Sequence, residues 1–165
     1  MYANDGSGWR PISPPLGDTI FSIRGTSEKD IYVCGAGALF WRFDGATWTR
    51  IELPTNERLL GILARSPADI WVCGRGGVLY RGAGDAWEDT SFAGHNFHSI
   101  AFYRGQLLLA GAGEGIFRVD GSELQNIKNN ITSYKLVCNE TYLASSGDNL
   151  AARFDGTGWF GSRFS

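Results

Sequence analysis

The side chains able to do chemistry are few in this chain of 165 residues, and their spacing narrows what they could do. Its two histidines, His95 and His98, stand three apart in Gly94-His-Asn-Phe-His98. Two imidazoles could share a metal ion, but a zinc site needs a third and fourth ligand, and no Cys/His cluster is near. They read as a loop histidine and a strand-start histidine, with no metal and no cofactor. The three cysteines, Cys34, Cys73 and Cys138, cannot all pair and form no C-x-x-C. That usage predicts reduced, mostly buried thiols in a reducing compartment, most simply a bacterial cytoplasm. No G-x-S-x-G, H-E-x-x-H or Walker loop occurs, so the sequence predicts no catalytic residue. Adjacent acids such as Glu88-Asp89 would point to opposite faces of a strand. An active site assembled from distant loops would leave no such signature, and an enzyme of that kind stays as a third alternative.

The elements that must position these residues come from a repeat. Tryptophans following a glycine turn recur in Asp5-Gly-Ser-Gly-Trp9, Asp44-Gly-Ala-Thr-Trp48, Gly84-Asp-Ala-Trp87 and Asp155-Gly-Thr-Gly-Trp159. A fifth copy, Asp120-Gly-Ser-Glu-Leu124, carries leucine instead. Upstream lie matching apolar runs: Asp30-Ile-Tyr-Val-Cys-Gly35, Asp69-Ile-Trp-Val-Cys-Gly74, Gln106-Leu-Leu-Leu-Ala-Gly111 and Glu140-Thr-Tyr-Leu-Ala-Ser145. Columns recurring in phase every 38 residues or so define tandem units. We place these at about 20–53, 59–92, 97–129 and 133–165 within one domain spanning 1–165. In the second unit four β-patterned pieces fall at 60–64, 69–73, 78–81 and 86–90, separated by Ser/Pro- and Gly-rich turns. The third piece is apolar on both alternating faces (Val78, Leu79, Tyr80), so it needs neighbours on both sides.

Composition agrees. The 23 glycines and the 22 aromatics (6 Trp, 6 Tyr, 10 Phe) suit short strands and tight turns. A net charge of −2 leaves no basic footprint for nucleic acid or an anionic membrane. The N-terminus carries no secretory pattern, and no run is long enough to span a membrane. The expected fold is all-β: a small β-propeller of four blades, each of four antiparallel strands. One Trp-anchored segment, residues 5–13, is left over as an extra N-terminal strand. It could close the ring by completing the last blade, or cross to a second chain, giving a monomer or a strand-exchanged homodimer.

The pattern D-I-W-V-C-G-x-G-G-x-L-Y-R…D-G-x-x-W resembles the bacterial β-propeller repeats of the BNR-type and photosystem-assembly-factor-like propellers, within the wider WD/YVTN-like group. The resemblance implies the fold and says little about function. The Asp-box of sialidase-type propellers, S-x-D-x-G-x-x-W, is not matched, because Asp44-Gly45, Asp120-Gly121 and Asp155-Gly156 are adjacent pairs.

Within this frame two sets of residues separate. Arg42, Arg81, Arg118 and, with a one-residue shift, Arg153 share a column, and with Trp9, Trp48, Trp87 and Trp159 they read as scaffold. Such arginines could capture an anion as a ring, but a feature present in every unit usually serves the unit. The expected partners are the recurring acids Asp30, Asp69 and Glu140. Cys34 and Cys73 share a small-residue column with Ala110 and Ser145, as close packing demands. By contrast Glu57, Arg58, Arg75, His95, Asn96, Glu114 and Asp148 sit in loops that differ between units. Those loops emerge on one face of a propeller, where recognition residues usually lie. The function expected is a non-catalytic protein-binding module, possible roles being a stoichiometric inhibitor or immunity-type protein. A lectin-like propeller for glycans or small ligands is the alternative, although its ligand residues should repeat in each blade.

Overall fold

A computed structural model of the chain describes residues 2–4, 6–11 and 17–164. Sixteen strands form four antiparallel sheets, the blades. Blade one comprises β3 (Ile20–Ser27), β4 (Asp30–Gly35), β5 (Phe40–Phe43) and β6 (Trp48–Arg50). Blade two holds β7 (Leu59–Ser66), β8 (Asp69–Gly74), β9 (Leu79–Ala83) and β10 (Ala86–Asp89). Blade three is built of β11 (Ser99–Tyr103), β12 (Gln106–Ala110), β13 (Ile116–Asp120) and β14 (Glu123–Lys128). Blade four contains β15 (Lys135–Cys138), β16 (Leu143–Ser146), β17 (Leu150–Phe154) and β18 (Trp159–Arg163). Each is a meander in chain order, and successive inner strands pack side by side. The chain is a four-bladed β-propeller. Its only helical piece among the described residues is a 3-10 turn, Arg75–Gly77.

The repeat's turn chemistry explains the local folding. The Asp44 carboxylate accepts the Ala46 and Thr47 N–H groups at 2.8 and 2.7 Å, and Asp155 does the same for Thr157 and Gly158 at 2.8 and 2.9 Å. The next residue, Gly45 or Gly156, has φ +97° in both turns, which glycine adopts without steric cost. Hence Asp and Gly are adjacent where the third strand turns into the fourth. The glycine closing each second strand has another reason. A Cβ on Gly35, Gly74 or Gly147 would lie 2.1, 2.2 or 2.1 Å from the carbonyl oxygen of Thr19, Arg58 or Thr132, where the chain leads into or towards an inner strand.

Gly147 also exposes a register error in the sequence reading. Arg42 pairs across strands with Tyr32, Arg81 with Trp71, Arg118 with Leu108, and Arg153 with Ala144. In the fourth unit Ser146, not Ser145, therefore occupies the column of Cys34, Cys73 and Ala110, and Tyr142, not Glu140, stands where Asp30 and Asp69 do. Arg153 is in phase without any shift. The apolar run of this unit is weak, and alternation alone does not fix register when small residues flank it.

The core lies between blades, in three clusters. Tyr32, Cys34 and Phe40 of blade one meet Leu59, Ile62 and Val72 of blade two. Cys73 and Leu79 meet Ile100, Leu109 and Phe117 of blade three. Ala101, Tyr103 and Leu108 meet Leu136 and Leu143 of blade four. Two of the cysteines, Cys34 and Cys73, are buried there as small apolar residues, but Cys138 is exposed, so the expectation of mostly buried thiols fails at that position.

The N-terminal Trp-anchored segment does not join a blade. Its described part, β2 (Trp9–Pro11), pairs with β1 (Tyr2–Asn4) as a separate hairpin, while β18 supplies the outer strand of blade four. Asp5, Ile12 and Ser13 lie outside the described residues. Trp9 is 72% exposed, unlike the half-buried Trp48, Trp87 and Trp159. It is no part of the blade scaffold with which the sequence reading grouped it.

Candidate functional site

The loops joining second to third strands, and those leading from blade to blade, are laced together on one face. Ala38 N–H donates to the Glu57 carbonyl at 3.0 Å, Arg75 N–H to Arg58 at 2.9 Å, Phe97 N–H to Gly74 at 2.9 Å, and Ala112 and Ser133 exchange backbone bonds. Because the bonds use main chain, the side chains of these loops remain available to vary. They also draw the predicted site residues together between blades two and three.

Arg75, Asn96, His98 and the stretch Gly111–Glu114 line an open cleft of about 410 Å³. The Asn96 amide oxygen accepts the Gly76 N–H at 3.3 Å, which ties the turn bearing Arg75 to the lead-in of blade three. His95 Nδ1 lies 2.8 Å from Glu114 Oε2, and its ring packs on Phe97 and Phe117. The Glu57 side chain lies against Gly76, and Arg58 is held beneath Arg75 by the backbone bond just given. Asp148 stands apart, in the loop beside Asn149. Asn149 lines a smaller depression of about 240 Å³ that shares Gly113 with the first. Three of the seven predicted loop residues, Arg75, Asn96 and Glu114, thus line one cleft. His95 is bonded to Glu114 there, Glu57 and Arg58 lie behind the turn that carries Arg75, and Asp148 stands outside it.

His98, expected from the sequence to be a strand-start residue, belongs to this cleft. Burial, then the nearby Arg75 charge, pushes its pKa below the usual histidine value. It is therefore a neutral ring at pH 7, packed edge-on to Tyr134 at 5.1 Å. Only its spacing from His95 hinted at a role. His95 turns instead to Glu114, so the two imidazoles do not share a ligand position. Among the described residues no group of three or more His, Cys, Asp or Glu side chains could hold a metal.

The arginine column is elsewhere and is occupied by its own partners. Arg42 Nε donates to Asp30 at 2.9 Å. Arg81 Nε donates to Asp69 at 3.0 Å, and Asp69 also accepts from Arg65 at 2.6 Å and Trp71 Nε1 at 3.0 Å. Arg118 bonds the Gln125 side chain across the strand pair. Arg153 lies over the rings of Tyr142 and Phe160 at 4.7 and 5.2 Å. Arg75, by contrast, is exposed, and among the described residues its guanidinium has no hydrogen bond or ion pair. A cation left unpaired at a cleft can bind an acceptor on another molecule.

Four-stranded blades around an axis, with a loop-built cleft, define the class: a β-propeller. Solved structures share this fold at low sequence identity. YCF48, whose structure is described as bound to a D1 peptide, matches 95% of this chain at 15% identity with a TM-score of 0.65. The extracellular domain of a one-component system from B. thetaiotaomicron matches 78% at 21% identity with a TM-score of 0.64. The chain spans 58% and 20% of those two proteins' lengths. No family model and no curated protein matches the sequence.

Proposed function

We propose that this chain is a non-catalytic protein-binding module that recognises an extended peptide segment of its partner at the cleft between blades two and three. The observation that carries the reading is the unpaired Arg75 guanidinium at that cleft, in a chain whose repeat arginines hold partners of their own. An arginine fork suits peptide recognition because it can bond a side-chain carboxylate or several backbone carbonyls at once. Neutral His98 and the Asn96 amide supply further polar contacts without a net charge to desolvate. The peptide carried by YCF48 supports this class of partner. A stoichiometric role, as inhibitor or immunity-type protein, follows from binding without turnover, and three free thiols suit a bacterial cytoplasm.

The test pairs two arginines once a partner has been captured. Arg75→Ala should weaken binding by roughly 2 kcal/mol, about thirtyfold, in titration calorimetry and leave the melting temperature unchanged. Arg81→Ala should lower the melt and spare affinity. If Arg75→Ala and substitutions at Glu114 and Asp148 all leave affinity intact, the partner binds elsewhere.

A further inference from the structure

The packing of blade on blade runs from one to four and is not completed between four and one. Equivalent inner-strand residues show it. Ile23, Ile62, Ile100 and Leu136 pair across strands with Val33, Val72, Leu109 and Ser145, so they form one column. Ile62, Ile100 and Leu136 face the preceding blade and are 3%, 6% and 3% exposed. Ile23 has no preceding blade and is 42% exposed. The column facing the following blade gives the mirror result: Ala101 is 4% exposed, and its counterpart Val137 in blade four is 53% exposed. Ile20 is likewise 36% exposed where its counterpart Leu59 is fully buried. No hydrophobic cluster among the described residues spans blades one and four.

We propose that the two outward faces are the two halves of one interface, and that a second copy of this chain fills both. The outward face of blade one offers Ile20 and Ile23, both at least one-third exposed, beside the half-buried Trp41, which shares the cross-strand column of Ile23 and Val33. The outward face of blade four offers Val137 and Phe160 around the small Ala144 and Ala151, with the exposed Arg153 between Ala144 and Phe160 and stacked on the Phe160 ring. Ile23 and Trp41 of one face can seat over the small Ala144 and Ala151 of the other, as interlocking packing requires. The contact continues the three interfaces already present: a face of the blade-four kind covers a face of the blade-one kind. Head-to-tail contacts make a closed ring when the rotation closes. Two copies joined at both ends make eight blades, within the four-to-eight range of propellers. Joining removes both apolar faces from water without any exchange of strands. The loop cleft, between blades two and three, stays open in such a ring.

Light scattering across the micromolar range tests this. The wild-type chain should run at twice its 18.0 kDa mass. Ile23→Glu and Val137→Glu, at opposite ends and on exposed positions, should each halve the mass with the circular dichroism melt of a folded blade retained. Mixing the two variants should raise the mass above that of either variant alone at the same concentration. The blade-four face of one and the blade-one face of the other are intact and form one of the two contacts, while the second contact holds both substitutions. A wild-type monomer overturns the proposal. So does a doubled mass that survives in either variant, or a mixture that associates no more than either variant alone; a surviving doubled mass points to a contact through like faces or another surface.

Discussion

At the scale of single residues, this protein separates groups that serve the repeat from groups that do not. The thiols illustrate it. Burial drives the Cys73 pKa up to about 12, and burial, then the neighbouring Cys73, raises Cys34 well above its ordinary value. Cys138 is exposed, its thiol directed at the Phe102 carbonyl at 3.2 Å. A maleimide at neutral pH should therefore label one thiol quickly and two only on unfolding, with peptide mapping placing the label on Cys138. Labelling of all three at one rate would show that the blade interfaces open freely. The turn aspartates carry a pH signature. Hydrogen bonds from Gly158 and Thr157 hold the Asp155 carboxyl at about 2, below its ordinary 3.8. A depressed folded-state pKa stabilises above the unfolded value, and that contribution fades as pH falls from about 4 toward about 2. Asp155→Ala should melt below wild type at pH 7 and alongside it near pH 2. A gap that persists at the acid end would assign its effect to something other than the charge. Arg81 makes an ion pair that is half solvated, so Arg81→Ala should cost no more than about 1 kcal/mol.

At the scale of the element, the blades stand on close approaches that admit no Cβ. Gly77 has φ +79°, and a Cβ there would sit 1.7 Å from the Phe92 carbonyl oxygen. Gly37, at the matching loop of blade one, has φ +60° but open space around it. Gly37→Ala should thus cost only the left-handed backbone term of about 1–2 kcal/mol. Gly77→Ala should cost clearly more, because the segment at Phe92 and Ala93 that follows β10 must also move. Comparable melts for the two would refute the close-approach argument. The core aromatics belong to this scale as well. Phe40 is fully buried, with its ring edge-on to Trp87 of the next blade at 4.9 Å. Phe40→Ala should remove about 3–5 kcal/mol, read by denaturant titration. The four-strand meander was legible in the sequence because many turns carry their own chemistry, Asp-Gly, Ser-Pro or clustered glycines. Register in blade four was not, since Ala144, Ser145 and Ser146 give alternation nothing to hold.

At the scale of the whole molecule, stability in a stacked array comes from nearest-neighbour interfaces. Blades two and three have two neighbours, and blades one and four have one each. In dilute solution, backbone amides of β3 and β15 should exchange with solvent faster than those of β7 and β11, as measured by mass spectrometry. Protection of β3 and β15 should rise with protein concentration if the outward faces are covered by a second copy. Uniform, concentration-independent protection would mean that the four blades unfold as one unit closed on itself.

What the residues alone determined is everything local. The Asp-Gly turns, the period-two strands and the spacing of the tryptophans need only neighbours within one unit, so the fold class and blade count could be read from the chain. So could the separation of repeat arginines from loop arginines, since a column present in every unit announces itself. What tertiary structure decided is non-local. The convergence of Arg75, Asn96, His98 and Glu114 on one cleft depends on two blades docking at a set angle. The solvent exposure of Ile23 and Val137 depends on whether a blade stands beside them, and their sequence context matches that of buried Ile62 and Leu63's half-buried position. A repeat writes the same face into every blade, and only the arrangement of blades determines which faces find a partner within the chain.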